Sequence, residues 1–252
     1  MLVASCVSSA IVYTVLCNAS RVLSPIWSLN YRTTLTIGER RHWDSLFPST
    51  VHALVSVSLS VYLILQYWNE DDSLPSSSPV FAWNVPLSYT ALGASLAYFC
   101  ADMVYLTITT APTRDNRNMV VHHACCLVGL SAALWTGFGH VHVLIMLLTE
   151  STTPFINVRW IFDKTGQKTT HVYLINGVLM TGEWFVARVI IFPVYFAFLS
   201  KTYEGEMRDH LPTCVRALFM WLPLLLFALN AYWFYLILRG LLKHARLRTK
   251  IN

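Results

Sequence analysis

Seven apolar stretches constrain this chain more than any other feature. They run over about Leu2–Leu23, Ser45–Tyr67, Val85–Ile108, Met119–Thr136, Gly139–Phe162, Val172–Leu199 and Cys214–Arg239. A bilayer core of roughly 30 Å is crossed by about 20 helical residues rising about 1.5 Å each. Backbone groups in lipid must find partners within their own segment, so such stretches become helices. The sequence therefore reads as all-α: a multi-pass transmembrane bundle of about seven spanning helices. Only 12% of the 252 residues are charged, against about 25% in soluble domains. That leaves no length for a large soluble domain as well.

Basic residues divide unevenly between the loops. The first, third and fifth loops with the C-terminal tail hold fourteen Arg and Lys, and the even loops hold two. The positive-inside rule then puts the N-terminus outside or in the lumen and the C-terminus in the cytosol. The net charge of +5 is accordingly an orientation signal, and no nucleic-acid partner is expected. Met1–Ser20 lacks the basic start of a signal peptide, and its removal would strand the Arg-rich first loop outside, so it reads as a helix. Asn18-Ala19-Ser20 is a glycosylation sequon, but it falls at the cytosolic end of that helix. The acidic, Ser/Pro-rich stretch Asn69–Pro79 reads as an outer loop. In the first loop, Asn30-Tyr31-Arg32 and Glu39-Arg40-Arg41-His42-Trp43 mix charges with aromatics, which suits a segment lying on the membrane face.

Polar residues recur at three- and four-residue spacing inside four of the apolar runs, the spacing of one helix face. Ser49, His52, Ser56 and Ser60 form one stripe. Ser95, Tyr98, Asp102 and Tyr105 form the next, Met146, Glu150, Thr153 and Asn157 the third, and Asn176, Met180 and Glu183 the fourth. Four such stripes in a small bundle predict a partly polar cavity. Counted at about 1.5 Å per residue from the cytosolic ends, His52, Asp102, His122, His123, Asn157 and Arg159 share a layer roughly 4–11 Å deep. Glu150, Glu183 and Arg188 fall deeper. His122 and His123 point about 100° apart, so one is expected to face the cavity and the other a neighbouring helix. Two readings of the pair stand: a general base or ligand-contacting imidazole oriented by Asp102, or a polar clamp between helices. Glu150 needs a cation or a proton at that depth, and Arg188 matches it as a structural ion-pair partner. Pro154 cannot donate to the carbonyl four residues back, that of Glu150, so a kink with a free Glu150 carbonyl is expected there.

Other chemistry finds no support. His140 and His142 form an HxH pair without a partner cluster, so no metal site is predicted. The six cysteines sit in or beside apolar runs with no CxxC spacing and read as packing residues. Without a GxSxG elbow, a Walker loop or a GxGxxG string, lipase, pump-ATPase and nucleotide-binding chemistry are excluded. Thr149, Thr152 and Thr153 read as hydroxyls bonding their own helix backbone.

Several strings together resemble the TRAM-LAG-CLN8 (TLC) domain family: Trp43 followed by Ser49-Thr50-x-His52, Tyr98-x-x-x-Asp102, His122-His123, and Glu150-Ser151-x-x-Pro154-Phe155-x-Asn157-x-Arg159-Trp160. Asn176-Gly177-x-Leu179-Met180 and Arg188 add to the likeness. It covers about Ile37 to His244. The resemblance implies a six-helix TLC core at 37–244, preceded by an N-terminal helix and the start of a loop at 1–36 and followed by a basic tail at 245–252. Ceramide synthases in this family acylate sphingoid bases from acyl-CoA and carry a His-Asp-x-x-Asp string one helix after the His pair. Here Thr149-Glu150-x-x-Thr153 stands in its place. With the polar layer, the resemblance implies a protein of lipid homeostasis that binds a lipid or acyl chain in a cavity lined by His52, Asp102, His122, His123, Asn157 and Arg159. One alternative is an acyl-CoA-dependent N-acyltransferase, with acyl-CoA as co-substrate, His122 or His123 as base and Asp102 orienting it. The other is a non-catalytic membrane assembly partner. No resident cofactor is expected, and membrane lipids are the expected partners. The basic tail Arg248-Thr249-Lys250-Ile251-Asn252 favours the endoplasmic reticulum, with the plasma membrane as the alternative.

Overall fold

The structure, a computed structural model, describes residues 2–71, 83–109, 114–202, 207–208 and 211–248. Among them there is no strand. The helices are α1 (Leu2–Trp27), a short α2 (Leu29–Thr33), α3 (Ile37–Asp71), α4 (Pro86–Thr109), α5 (Arg114–Thr136), α6 (His140–Leu147), α7 (Thr153–Lys164), α8 (His171–Phe185), α9 (Ile191–Thr202) and α10 (Thr213–Arg248). A 3-10 stretch, Leu148–Thr152, joins α6 to α7, and a π-helical stretch, Val186–Ile190, joins α8 to α9. Each joined pair makes one crossing. Seven helical segments are thus long and apolar enough to span a bilayer, and the chain is an integral membrane protein. Most of the acidic outer loop, at 72–82, and the chain end at 249–252, with Lys250, lie outside the described residues.

The α6–α7 crossing is the centre of the bundle. In its most apolar stretch 61% of residues are buried, against 11% in α1. The Gly137-Phe138-Gly139 turn delivers the chain into that crossing. Gly137 and Gly139 take φ of 73° and 74°, left-handed values open to glycine at little cost. The turn is held by Asn84 Nδ2, which donates to the Gly137 carbonyl at 2.9 Å. The two imidazoles that follow part company. His140 Nδ1 lies 2.6 Å from Ser88 Oγ, and His142 Nε2 lies 3.1 Å from Thr202 Oγ1. The HxH pair therefore clamps α6 to α4 and α9.

Helix α3 starts eight residues earlier than the hydropathy predicts. Thr36-Ile37-Gly38-Glu39 is a capping box: the Thr36 N–H donates to Glu39 Oε2 at 2.9 Å, and the Glu39 N–H donates to Thr36 Oγ1 at 3.3 Å, satisfying two otherwise orphaned groups. Glu39–Trp43 therefore extends a spanning helix, where a separate surface segment was expected. Several of its polar neighbours turn inward. Asp44 is 1% exposed and accepts from Tyr31 Oη at 3.0 Å and Ser20 Oγ at 3.3 Å. Burial and the Asp44 carboxylate push the Tyr31 phenol up to about 12, so it remains a donor. Lys164 Nζ donates to Glu39 Oε1 at 2.6 Å, tying the end of α7 to the start of α3.

Helix α1 packs on α4 through small residues that let two backbones approach. Ser5 Oγ donates to the Thr90 carbonyl and Ser9 Oγ to the Ala94 carbonyl, both at 2.8 Å. A Cβ at Gly93 would stand 2.6 Å from Leu2 Cδ1. In α10, Pro223 has no N–H to offer the Phe219 carbonyl four residues back. Tyr195 Oη, on α9, donates to that carbonyl at 3.0 Å.

Candidate functional site

A cavity of about 470 Å³ lies among α3, α4, α5, α7, α8 and α10. Asp102, His122, His123, Asn157 and Arg159 line it, and Glu150 and Arg188 form part of its wall. His52 is set back. Its ring stacks on Tyr98 with centroids 3.8 Å apart and planes 10° apart, and Tyr98 takes the place on the wall. Phe99, His122 and Glu150 also border a second, apolar pocket of about 70 Å³ that continues between α5, α6, α9 and α10, where Leu147, Phe192 and Leu222 line it. The larger cavity mixes polar side chains with apolar ones, the smaller pocket is almost wholly apolar, and His122 borders both.

The two histidines have different surroundings. His123 Nδ1 lies 2.9 Å from the Met119 carbonyl, and His123 Nε2 lies 2.9 Å from Asp102 Oδ2. A carbonyl only accepts, so Nδ1 carries a proton. The Nε2–carboxylate contact holds another, shared with Asp102. Tyr13 Oη donates to the other oxygen, Asp102 Oδ1, at 3.0 Å. Both nitrogens of His123 are therefore occupied, and the residue joins α5 to α4 while Tyr13 joins α1 to both. His122 is 5% exposed. Its Nε2 lies 3.7 Å from Cys126 Sγ, one turn along α5. Its Nδ1 is buried with no hydrogen-bond partner among the described residues. A buried polar atom left unpaired is costly, and the residue that carries it borders both cavities.

Glu150 and Arg188 are held in a buried network. Arg188 Nη2 donates to Glu150 Oε1 at 3.3 Å, and Arg188 Nη1 donates to Asn230 Oδ1 at 3.2 Å. Arg188 Nε donates to Thr152 Oγ1 at 2.7 Å and to the Thr149 carbonyl at 2.9 Å. The second carboxylate oxygen accepts from Thr153 Oγ1 at 2.9 Å. The guanidinium carbon also lies 4.8 Å from the centre of the Trp184 ring. The break in the fifth crossing differs in register from the expectation. Pro154 opens α7, and the Thr153 N–H takes the Glu150 carbonyl in a three-residue turn. The carbonyl that Arg188 uses is that of Thr149. Thr153 bonds the Glu150 side chain, where a backbone bond was expected. Glu183 stands apart, half-buried on α8 and outside the Arg188 network.

Asn157 ties α7 to α3, donating from Nδ2 to Thr50 Oγ1 at 2.9 Å and to the Leu46 carbonyl at 3.1 Å. Arg159 is held differently. Its guanidinium carbon lies 4.2 Å from the centre of the Tyr173 ring, and a Cβ at Gly177 would come within 2.7 Å of its Nη1. Three site residues escaped the sequence reading. Asn230, alone in an apolar run, carried a usable signal, because a buried amide in a spanning helix needs partners. Trp184 and Tyr13 carried none, since aromatics are ordinary in spanning helices.

The TLC domain model matches residues 42–239. The chain belongs to the TLC domain family. The TLC match takes in every wall of the cavity and leaves out α1, which supplies Tyr13. The chain is 30% identical to TLC domain-containing protein 4-A of Xenopus laevis over 219 residues, covering 86% of this chain and 81% of the relative. It is 28% identical to TLC domain-containing protein 4-B of Danio rerio over 226 residues, 88% and 83% of the two chains. It is 24% identical to TLC domain-containing protein 4 of Homo sapiens over 212 residues, 83% and 78% of the two chains. None of these TLC relatives is named for an activity or a ligand.

Proposed function

We propose that this protein binds an amphipathic lipid or acyl chain in the bundle cavity and acts in membrane lipid homeostasis. The observation that carries the reading is the change of wall at His122. A chamber of mixed wall, with Asp102, Asn157 and Arg159 as its polar groups, adjoins there an almost wholly apolar pocket, and a lipid's polar and apolar parts match the two ends. His122 borders both volumes, and a turn of its ring would bring the unpaired Nδ1 to the polar atoms at a lipid's junction. The bias of basic residues supports an N-terminus in the lumen and a C-terminus in the cytosol, and the basic tail supports the endoplasmic reticulum. Lipid extraction and mass spectrometry of the purified full-length protein, with thermal denaturation before and after delipidation, test the reading. A retained lipid whose removal lowers the melting temperature is expected. No retained lipid, and no change in stability when lipids are added back, would overturn it.

The free nitrogen of His122 also favours a second reading, acyl transfer from acyl-CoA to an amine with His122 as the base. His123 does not suit that role, because both its nitrogens are engaged. Labelled acyl-CoA with candidate amines, offered to reconstituted protein, tests this. Product that forms with the wild type and is lost in His122→Ala supports it, and an absence of turnover rejects it.

A further inference from the structure

A further volume adjoins the cavity. A volume of about 230 Å³ lies along the seam of α8 and α10 and shares Arg159, Met180, Leu236 and Ile237 with the main cavity. Two glycines flank it, Gly177 on α8 and Gly240 on α10. Gly177 is buried and Gly240 is exposed, so the volume leads from the chamber to the outer surface of the bundle. Arg159 stands where the two volumes join. Among the described residues it has no ion-pair or hydrogen-bond partner, and only the Tyr173 ring and the gap left by Gly177 hold it in place. An unneutralised guanidinium within a spanning segment is costly. Five residues separate it from the end of α7 at Lys164, so it lies roughly 8 Å inside that end. That is close to the boundary of headgroups and hydrocarbon, since the polar region adds roughly 5–8 Å to each side of the core.

We propose that the α8–α10 seam is a lateral portal through which a phosphate-bearing membrane lipid enters the cavity, with Arg159 binding the phosphate. The planar fork of arginine matches a phosphate's oxygens two at a time. The Tyr173 ring holds the fork flat without neutralising it. Gly177 keeps that position vacant, since any side chain there would displace Nη1. Gly240 keeps the outer mouth open: a Cβ built on it meets nothing within 4 Å. This inference rests on the lipid-binding reading above and adds to it a headgroup class and a route.

The test uses full-length protein in detergent micelles doped with dioleoyl phosphatidic acid or with dioleoylglycerol, which differ by the phosphate alone. Native mass spectrometry follows both uptake and retention. Phosphatidic acid is expected to be retained roughly tenfold more than dioleoylglycerol, the scale of one charge-assisted contact. Arg159→Gln is expected to remove that preference, and Gly177→Ala to weaken it. Gly240→Leu is expected to slow uptake of phosphatidic acid several-fold. It replaces a helical glycine in open space and so improves helix propensity. Gly182→Leu, at an equally open position on α8 away from the seam, is expected to take up lipid at the wild-type rate. Inorganic phosphate at the same concentration distinguishes a free anion from a lipid, and competition by it as strong as by phosphatidic acid counts against the portal. Equal retention of the two lipids, or wild-type uptake in Gly240→Leu, overturns the inference while leaving lipid binding standing. Retention of neither lipid overturns the inference, and the lipid-binding reading falls with it only if no lipid co-purifies and added lipids leave the stability unchanged.

Discussion

Asp102 accepts two hydrogen bonds, from Tyr13 at Oδ1 and in its contact with His123 at Oδ2, so one carboxylate joins α1, α4 and α5. Removing Tyr13 Oη takes one bond from a carboxylate that keeps its other partner. Removing the carboxylate leaves both the phenol and the imidazole N–H without an acceptor. Tyr13→Phe is therefore expected to cost about 1 kcal/mol, and Asp102→Ala about 3 kcal/mol. The double variant should be scarcely less stable than Asp102→Ala, because the phenol has nothing left to bond. Denaturation of the three variants in detergent checks this, and additive losses would show that Tyr13 acts elsewhere.

The neighbouring histidines should separate in their effects. His123 has both nitrogens engaged and His122 has one free at the cavity junction. His123→Ala is expected to lower stability by about 2–3 kcal/mol, because Asp102 then keeps only its Tyr13 bond. His122→Gln should change stability by less and should reduce the stabilisation conferred by added lipid. Melting temperatures measured with and without lipid read both effects. Equal loss of lipid response in the two variants would remove the distinction drawn between them.

Breaking the buried network from one side should be worse than replacing both charges. Arg188→Met takes the cation from Glu150 and one donor each from the Thr149 carbonyl and Asn230, at a cost of about 3–5 kcal/mol. Glu150→Gln/Arg188→Met removes the stranded charge and should recover part of that loss. The yield of folded, monodisperse protein and its melting temperature report the order. A double variant less stable than Arg188→Met would contradict it.

What the sequence made legible follows from cost. Length and freedom from charge make the seven crossings readable, because lipid tolerates little else. The polar layer is readable for the same reason: Asp102 or Glu150 inside an apolar run demands an explanation that an extra leucine does not. Partner choice is less readable. Asp102 meets His123 rather than His122 because of the rotation of α5, and no local spacing sets that rotation. Arg188 reaches Asn230 and the Thr149 carbonyl from a π-helical widening at Val186–Ile190, which has no sequence signature of its own. The early start of α3 had one. Thr36-Ile37-Gly38-Glu39 is a capping box, but hydropathy outweighed it because the box precedes charged residues. The role of Gly177 depends on an arginine eighteen positions earlier in the chain, so only the packed structure brings the two together.

The proline in α10 gives a test that separates packing from coincidence. Pro223 has no N–H to offer the Phe219 carbonyl four residues back, and Tyr195 Oη donates to that carbonyl at 3.0 Å. In the wild type, Tyr195→Phe removes that bond from a buried carbonyl and should cost about 1–2 kcal/mol. In a Pro223→Ala background, residue 223 has an N–H that can take the carbonyl, so the same Tyr195→Phe change should cost about 0.5 kcal/mol or less. The coupling between the two positions is then roughly 1 kcal/mol and is read from four melting curves. Because Pro223 also lines the apolar pocket, Pro223→Ala straightens α10 beside it, and lipid-dependent stabilisation should change in that variant. Tyr195→Phe keeps the ring on the pocket wall and should leave that stabilisation near the wild-type value. A Tyr195→Phe cost that is the same in both backgrounds would mean that the phenol does not substitute for the missing backbone donor.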